Sequence, residues 1–332
     1  MIEHKSNQVS FFGDYLYDQI IAPDHFLKKL AEAVDFSFVN KLCKQLYSDI
    51  GRPGILPEKM LKILLLQYLY KVSDRQIIDE VRYNIAFKWF VGLEINQEPP
   101  DASSLTHFRD RLGAKQFAKI FNRIVILARK RGLIADELSI VDTTAVQAKI
   151  DTFRMQDTDP KDPDATHGYQ SKNKPFFGYK AHAALDAESR LITKIDVTPA
   201  HVHEGTHFKA LVDPNVQMIT ADKAYDTTAN HTYLRRKYIE SAIIIKKNRI
   251  DKAIVKQARL KRVQRAQRHR PRIEPKFAEM RNAHGLVKAR YWGRAKVYIQ
   301  CCLTAIVVNL QRMVRLLYGV SLCNPPGLVC PT

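Results

Sequence analysis

The spacing of the apolar residues changes near residue 133, and this change constrains the fold more than any other feature of the chain. Before it, apolar residues recur at intervals of three and four, which is the spacing of one helix face. One such series comprises Met60, Leu61, Leu64, Leu65, Tyr68 and Leu69. After it, short runs rich in β-branched residues are typical of strands. We therefore predict an all-α domain over 1–133, a mixed α/β domain over 134–320 and an irregular tail over 321–332.

Local signals in the first region support several short helices. Pro57 suits a first helical turn, Ser73 and Gln76 have the spacing of a capping box, and Gly92 is expected to close a helix. Two further helices, LTHFRDRL and KQFAKIFNRIVILARKRGL, are predicted after a turn-rich stretch. Short helices joined by tight turns fit a helix-turn-helix DNA reader, but they fit any small helical bundle equally.

The second region is predicted to form a sheet with flanking helices. The segments LSIVDTTAV, GYKAHAALD and LITKIDVTP are read as a meander of three strands. A helix near 204–212, the strand VQMITA, a helix near 228–238 and the strand SAIIIK (241–246) follow. The order βββαβαβα would place the first and fourth strands side by side. The polar, Pro-rich stretch 151–175 is expected to be a loop.

Three acidic residues stand where such a sheet would bring them together. Asp142 and Asp222 each lie near the C-terminal end of a predicted strand, and neighbouring carboxylates repel unless a cation such as Mg²⁺ holds them. A third carboxylate is expected from a later helix, where Glu274 and Glu279 are available. Because Pro275 suits a first helical position, we predict Glu274 at the helix edge and Glu279 on its surface, paired with Lys276 or Asn282.

Charge indicates the partner. Lys and Arg number 53 against 34 Asp and Glu, a formal net charge of +19, which is typical of a protein that binds nucleic acid. The run 246–272 is strongly basic, with Asp251 as its one acidic residue, and is predicted to meet a duplex. The longest apolar runs fall short of the roughly 18 residues of a membrane span. The N-terminus has no apolar signal region, so an intracellular location is expected.

Cysteine and histidine residues can bind metals or form disulfides, but their spacing in this chain does not support either role. Five cysteines are odd in number and match no zinc spacing, which fits a reducing compartment. The segment HVHEGTH contains His201, His203 and His207 but has no cysteine nearby. We therefore predict no zinc site there, and we give His203 at most a supporting role.

The motifs around these carboxylates resemble those of a known family. SIVDTTAV, ADKAYD, FFGYKAH and VTPAHVHEGTHF, in this order, are similar to segments of the DDE transposases of bacterial insertion sequences, most closely the insertion sequence five family, which is related to the insertion sequence four group. ADKAYD carries over Tyr225 as an accompanying aromatic residue. The related Y-x2-R-x3-E-x6-K signature falls on Gln267, Arg270, Glu274 and Arg281, of which Arg270 and Glu274 match strictly.

The resemblance implies a ribonuclease-H-like catalytic core, an α/β fold with a mixed sheet, and two-metal phosphoryl transfer. Asp142, Asp222 and Glu274 would hold Mg²⁺, for which Mn²⁺ can substitute. The partners would be double-stranded DNA, namely the terminal inverted repeats and the target, bound by a homodimer in the cytoplasm at the nucleoid. The predicted DNA contacts are Arg270, Arg272, Lys276, Arg281, Lys288 and Arg290. A metal-dependent nuclease without strand transfer and a DNA-binding protein with a decayed catalytic domain remain as alternatives.

Overall fold

The structure is a computed structural model that describes residues 11–47, 54–149, 162–171 and 174–322. The chain divides into two compact units. One comprises residues 1–124 together with 306–332, and the other comprises residues 125–305. The predicted domain boundary at 133/134 stays a prediction, and most of the predicted tail, from residue 323, lies outside the described residues.

The N-terminal region is helical, as predicted. Its helices are α1 (Phe11–Ile20), α2 (Phe26–Ala33), α3 (Phe38–Cys43), α4 (Pro57–Leu69), α5 (Asp74–Tyr83), α6 (Ile85–Val91) and α7 (Ala102–Lys130). Each predicted helix signal is in place. Pro57 is the first residue of α4, Ser73 and Gln76 form a complete capping box on α5, and Gly92 ends α6 with φ +82°. Gly113, with φ 62°, divides α7 into the two predicted helices.

A six-stranded mixed sheet forms the centre of the second unit. Its strands are β1 (Leu138–Gln147), β2 (Thr166–Ser171), β3 (Lys174–Asp186), β4 (Ile192–Pro199), β5 (Met218–Ala221) and β6 (Glu240–Ser241). β1, β3 and β4 form the antiparallel meander, whereas β5 pairs parallel with β1, and β6 pairs parallel with β5. The order β4-β3-β1-β5-β6, with β2 added beside β3, is that of a ribonuclease-H-like core. The predicted fold class is confirmed.

Helices pack on both faces of the sheet. The helices of this part of the chain are α8 (Glu204–His207), α9 (Thr228–Arg236), α10 (Lys252–Ala258), α11 (Lys261–Arg268), α12 (Ile273–Asn282) and α13 (Arg294–Tyr318), and α13 continues into the residues of the first unit. Side chains alternate along a strand, so β1 contributes to two separate clusters. Val141 packs with Phe208 and Tyr225, whereas Leu138 packs against Val263 of α11.

Two strands differ from the sequence prediction. The stretch expected to be a loop contains β2, which pairs antiparallel with the first residues of β3 through backbone hydrogen bonds, and its polar sequence has no apolar alternation to predict it. The strand predicted over 241–246 is limited to β6, although the amides of Ala242 and Ile244 still donate to the carbonyls of Ile219 and Ala221. The backbone contact with β5 thus continues to Ile244, beyond the two residues of β6 itself.

One helix within the described residues, α13, is long and apolar enough to cross a membrane by length and composition alone. Of its most apolar window, 83% is buried inside the protein. A buried core helix has the same properties, so this feature is weak support for a membrane span.

Candidate active site

Strand register places the two aspartates next to each other. Val141 of β1 is paired with Ala221 of β5, and the strands are parallel. Asp142 and Asp222 follow these paired residues directly, so they lie side by side. Asp142 is in the middle of β1, which continues to Gln147, and not near the end of its strand as predicted, whereas Asp222 follows the last residue of β5. β5 ends there, and the Asp222 side chain accepts a hydrogen bond from the amide of Lys223 at 2.7 Å. The prediction that the first and fourth strands of the core adjoin is confirmed.

Arg270 connects the first aspartate to the third predicted carboxylate. It lies in a 3-10 turn (Arg270–Arg272) just before α12, and α12 packs near β1. Its Nη2 lies 3.0 Å from Asp142 Oδ2, and its Nη1 lies 3.3 Å from Glu274 Oε1. Glu274 is in the first turn of α12, as predicted, although the helix begins at Ile273 rather than at Pro275.

Asp142 has a strongly altered acidity. Its side chain is only 13% exposed, and burial raises the pKa of Asp142 to about 6. Arg270 and the Thr143 amide, which donates to Oδ1 at 2.9 Å, lower that pKa, whereas the charges of Glu204 and Asp222 raise it. Asp142 is therefore influenced by two other carboxylates, those of Glu204 and Asp222, and by the guanidinium of Arg270.

Glu204 is a member of this acidic group that the sequence analysis missed. It opens α8, and its Oε1 lies 3.6 Å from Lys180 Nζ. The next residue, Gly205, packs so tightly that a Cβ there would lie 2.8 Å from the carbonyl oxygen of Ala224. Asn230 Nδ2 donates to the carbonyls of both Gly205 and Tyr225, at 2.9 and 3.0 Å. Glu204 is the acidic residue of the segment HVHEGTH, whose histidine spacing is the more conspicuous feature in the sequence.

Tyr225 is fully buried beneath the carboxylates. Its hydroxyl makes no hydrogen bond within the described part of the chain, although the Thr143 side chain is near enough to lower its pKa. Burial raises the pKa of Tyr225 well above its ordinary value, and the charges of Glu204, Asp142 and Asp222 raise it further. The hydroxyl therefore stays protonated and faces the acidic group.

The donor types fit a hard divalent cation, but the described side chains are not assembled around one. Carboxylate oxygens are the ligands that Mg²⁺ and similar ions prefer, and the charges of Glu204 and Asp222 add to burial in raising the pKa of Asp142. Within the described residues, no three His, Cys, Asp or Glu side chains come close enough to hold a metal ion. The guanidinium of Arg270 bridges two of the predicted ligands instead.

The histidines of HVHEGTH contact separate partners. His203 caps α8, its Nδ1 accepting from the amide of Gly205 at 3.1 Å, and it is exposed. His201 contacts Thr166, and His207 Nε2 lies 2.8 Å from Asp196 Oδ2. His203 thus caps the helix that carries Glu204, and the supporting role predicted for it stays a prediction.

The predicted DNA-contact cations differ in availability. The structure does not support Lys276 as a DNA contact. Lys276 is buried and its Nζ lies 2.6 Å from Glu279 Oε2, so it does not present its charge to a phosphate. Arg270 is held by carboxylates, and Arg272 Nη1 donates to the carbonyl of Ala187 at 3.0 Å. Arg281 and Arg290 are half-buried, whereas Lys288 is exposed.

A second group of cations is exposed on the two helices that precede Arg270. Its members on α10 and α11 and the turn between them are Lys252, Lys256, Arg259, Lys261, Arg265 and Arg268. Their neighbour Arg262 pairs with Glu240 at 2.9 Å. The basic run predicted to meet a duplex therefore lies largely at the surface.

A ribonuclease-H-like sheet with neighbouring aspartates on adjacent parallel strands, Asp142 within β1 and Asp222 directly after β5, defines a class of enzymes that break and join phosphodiester bonds. Residues 135–310, more than half of the chain, match a family described as the transposase DDE domain, and residues 15–111 match one described as a transposase domain. The chain belongs to the DDE transposase family. It is a DNA-cleaving transposase, and the family implies a divalent metal cofactor.

One solved structure is similar to this chain over much of its length. It is a piggyBac transposase synaptic complex with hairpin DNA, 10% identical in sequence, with a TM-score of 0.42. The similarity covers 93% of this chain and 76% of that one.

Proposed function

We propose that Asp142, Asp222 and Glu274 are the catalytic carboxylates of a transposase that cleaves the ends of an insertion sequence and joins the freed 3′-hydroxyls to target DNA. The register of Val141 with Ala221 is the observation that carries this proposal, because it puts the two aspartates side by side where β5 ends. The contacts of Arg270 with both Asp142 and Glu274 support Glu274 as the third carboxylate.

The reaction needs two displacements at phosphorus. In the first, water attacks the phosphodiester at the element end and leaves a 3′-hydroxyl. In the second, that hydroxyl attacks a target phosphodiester, so one bond forms as another breaks and no covalent protein intermediate is needed. Divalent ions, here Mg²⁺ or Mn²⁺, activate the attacking oxygen and stabilise the departing one when bound. Asp142, Asp222 and Glu274 would hold these ions, and the buried Tyr225 would maintain the shape of the pocket below them.

The exposed cations of α10 and α11 are the proposed path for the duplex. Lys261, Arg265 and Arg268 are spaced by four and three residues, so they share one helix face. The chain then runs directly into Arg270 and the carboxylates, which places phosphate-binding charge beside the reacting centre. Lys288, which is also exposed, is a further proposed phosphate contact. Element ends and target DNA as substrates, a homodimer, a cytoplasmic location at the nucleoid and membership of the insertion sequence five family all rest on the resemblance in motifs.

The test combines labelled duplex carrying the element's terminal repeat, a target plasmid and Mg²⁺. We expect labelled DNA joined to the plasmid with the unmodified chain. Asp142→Asn and Asp222→Asn should each abolish cleavage and joining while binding duplex almost normally, because affinity comes from cations and the chemistry from the carboxylates.

Other products would contradict parts of the proposal. Cleavage without joining would indicate a nuclease, and a mobility shift alone would indicate a decayed enzyme. Appreciable nicking by either aspartate variant would remove that residue from the active site.

A further inference from the structure

Arg270 lies between Asp142 and Glu274, two of the residues proposed to bind a metal ion. Its two terminal nitrogens contact Asp142 and Glu274, and its Nε is buried with no hydrogen-bond partner among the described residues. The Arg270 side chain is 22% exposed. A single guanidinium therefore joins two of the proposed metal ligands directly.

We propose that Arg270 is a resident counter-ion of the metal-free enzyme, and that it moves from the carboxylates to a DNA phosphate when a divalent ion binds. This inference rests on the proposed function, because it takes Asp142 and Glu274 to be the metal-binding residues. It assigns Arg270 two alternative partners, one in each state.

The contacts of Asp142 explain why Arg270 is the group that moves. Oδ1 accepts from the backbone amide of Thr143, which is fixed within β1, whereas Oδ2 contacts the side chain of Arg270. Arg270 Nη2 lies 3.0 Å from Oδ2, so an ion bound to that oxygen would share it with the guanidinium, and two like charges on one oxygen repel strongly. The backbone amide cannot leave without breaking the sheet, so the guanidinium gives way.

The released guanidinium has a suitable acceptor nearby. Arg270 directly follows the exposed cations of α11, which form the proposed path for the duplex. A guanidinium binds a phosphate through two parallel hydrogen bonds, which matches what it loses on leaving two carboxylates. Metal and DNA should therefore favour each other, because both favour the conformation in which Arg270 has left the carboxylates.

Mn²⁺ binding to the full chain without DNA, measured by titration calorimetry, tests the first half of the inference. Arg270→Gln removes the competing cation, so it should bind Mn²⁺ about tenfold more tightly than the unmodified chain, a typical size for a coupling between two sites. The matched control is Arg236→Gln, an exposed arginine of α9, which should change nothing. Equal or weaker binding by Arg270→Gln would overturn the inference.

Asp142→Asn separates failure of this inference from failure of the proposed function. If Asp142→Asn binds Mn²⁺ normally, the metal is held elsewhere and the proposed function fails. If Asp142→Asn loses Mn²⁺ while Arg270→Gln matches the unmodified chain, only the inference fails. Circular dichroism checks that each variant is folded. If Arg270→Gln is unfolded, Arg270→Lys replaces it, because Lys keeps the positive charge but lacks the two terminal nitrogens that contact both carboxylates. Its Mn²⁺ affinity should also rise, since one bridge is lost, and an unchanged affinity would count against the inference.

Duplex binding tests the second half. Ca²⁺ is used because it binds carboxylates. Duplex affinity is measured for the unmodified chain and for Arg270→Gln, each with and without Ca²⁺. We expect Ca²⁺ to strengthen duplex binding by the unmodified chain about fivefold or more, within the usual range of coupling, and to leave Arg270→Gln unchanged. An equal gain in both proteins would show that Arg270 does not transmit the effect.

Discussion

At the scale of single residues, Asp142 is held where its charge is costly. Burial raises the pKa of Asp142 to about 6, and the charges of Glu204 and Asp222 add to this effect. A carboxyl with a raised pKa binds its proton more tightly in the folded state than in the unfolded state. Its ionised form therefore lowers stability above about pH 6, and the loss disappears as the pH falls toward the ordinary value near 3.8.

Asp142→Asn should consequently stabilise the metal-free protein at pH 7.5. A shift of about two pKa units, which already includes the favourable contact with Arg270, corresponds to at most about 3 kcal/mol. An Asn amide does not reproduce the hydrogen bonding of a protonated carboxyl, so we expect about 1–2 kcal/mol. Urea denaturation at pH 7.5 and pH 4.5 measures it, and the gain should shrink at the lower pH. Asp24→Asn, at an exposed position, is the control. An Asp142→Asn protein that is less stable than its parent at pH 7.5 would contradict this account of the site.

The sequence predicted some of the site residues and missed others for a physical reason. Asp142 lies within one strand and Asp222 directly follows another, the register of the two strands brings these residues together, and the apolar runs reveal both strands. Glu204 reaches the group only through the packing of Gly205 against Ala224, a contact 19 residues apart in sequence that no local pattern reports. Lys276 looked like a surface cation because its burial depends on tertiary packing.

At the scale of elements, Asn230 of α9 fastens α8 to the turn after β5. Its amide nitrogen donates to the carbonyls of Gly205 and Tyr225, and all of these groups are buried. The segment that carries Glu204 is thereby fixed to the segment that carries Asp222. The arrangement of the acidic group depends on this side chain.

Asn230→Ala should therefore reduce both stability and activity. Two buried carbonyls lose a donor, which at about 1–2 kcal/mol each suggests a loss of about 2–4 kcal/mol in unfolding free energy. Urea denaturation and the cleavage assay at a temperature where the variant is folded measure the two effects. Asn248→Ala, at an exposed position after β6, should be close to neutral. If Asn230→Ala kept full stability, the two hydrogen bonds of Asn230 would not contribute to the free energy of unfolding.

Strand pairing explains which elements the sequence could predict. The β1–β3–β4 meander and β5 contain apolar residues that pack on a helix, so their patterns are visible in the sequence. β2 pairs along the outer end of β3 and is polar, so only the backbone contacts identify it. Helix signals were more reliable because caps and left-handed glycines act within one turn.

At the scale of the whole molecule, the first compact unit is assembled from two distant parts of the chain. Residues 306–332 belong with residues 1–124, and the described part of that C-terminal segment contains fully buried side chains such as Ile306, Leu310 and Met313. Helical periodicity in the first region predicted its helices but not this partner.

A fragment of residues 1–133 should therefore be poorly packed by itself. It lacks the C-terminal segment of its unit, so apolar surface is left exposed. We expect strong binding of the dye ANS and a broad urea transition, both reversed when residues 306–322 are fused through a flexible linker. A fragment that unfolds cooperatively and does not bind the dye would show that the C-terminal segment is dispensable.

The net charge of +19 predicts a salt-dependent interface with DNA. With about six phosphate contacts, duplex affinity should fall by roughly 10³-fold or more between 50 and 200 mM salt. Fluorescence anisotropy with a labelled duplex, in EDTA so that chemistry does not intervene, gives the slope. A nearly flat response would mean that the exposed cations of α10 and α11 do not bind the backbone.

The choice between Glu274 and Glu279 tests the central claim most directly. The two residues lie on the same helix, but Glu274 is joined to Asp142 through Arg270, whereas Glu279 pairs with Lys276. The measurement is single-turnover cleavage and joining of labelled element ends with Mg²⁺, at identical salt, for Glu274→Gln and Glu279→Gln. The account predicts that Glu274→Gln loses both reactions and Glu279→Gln keeps most of each. The reverse ranking would contradict it, because the third carboxylate of the site would then be Glu279.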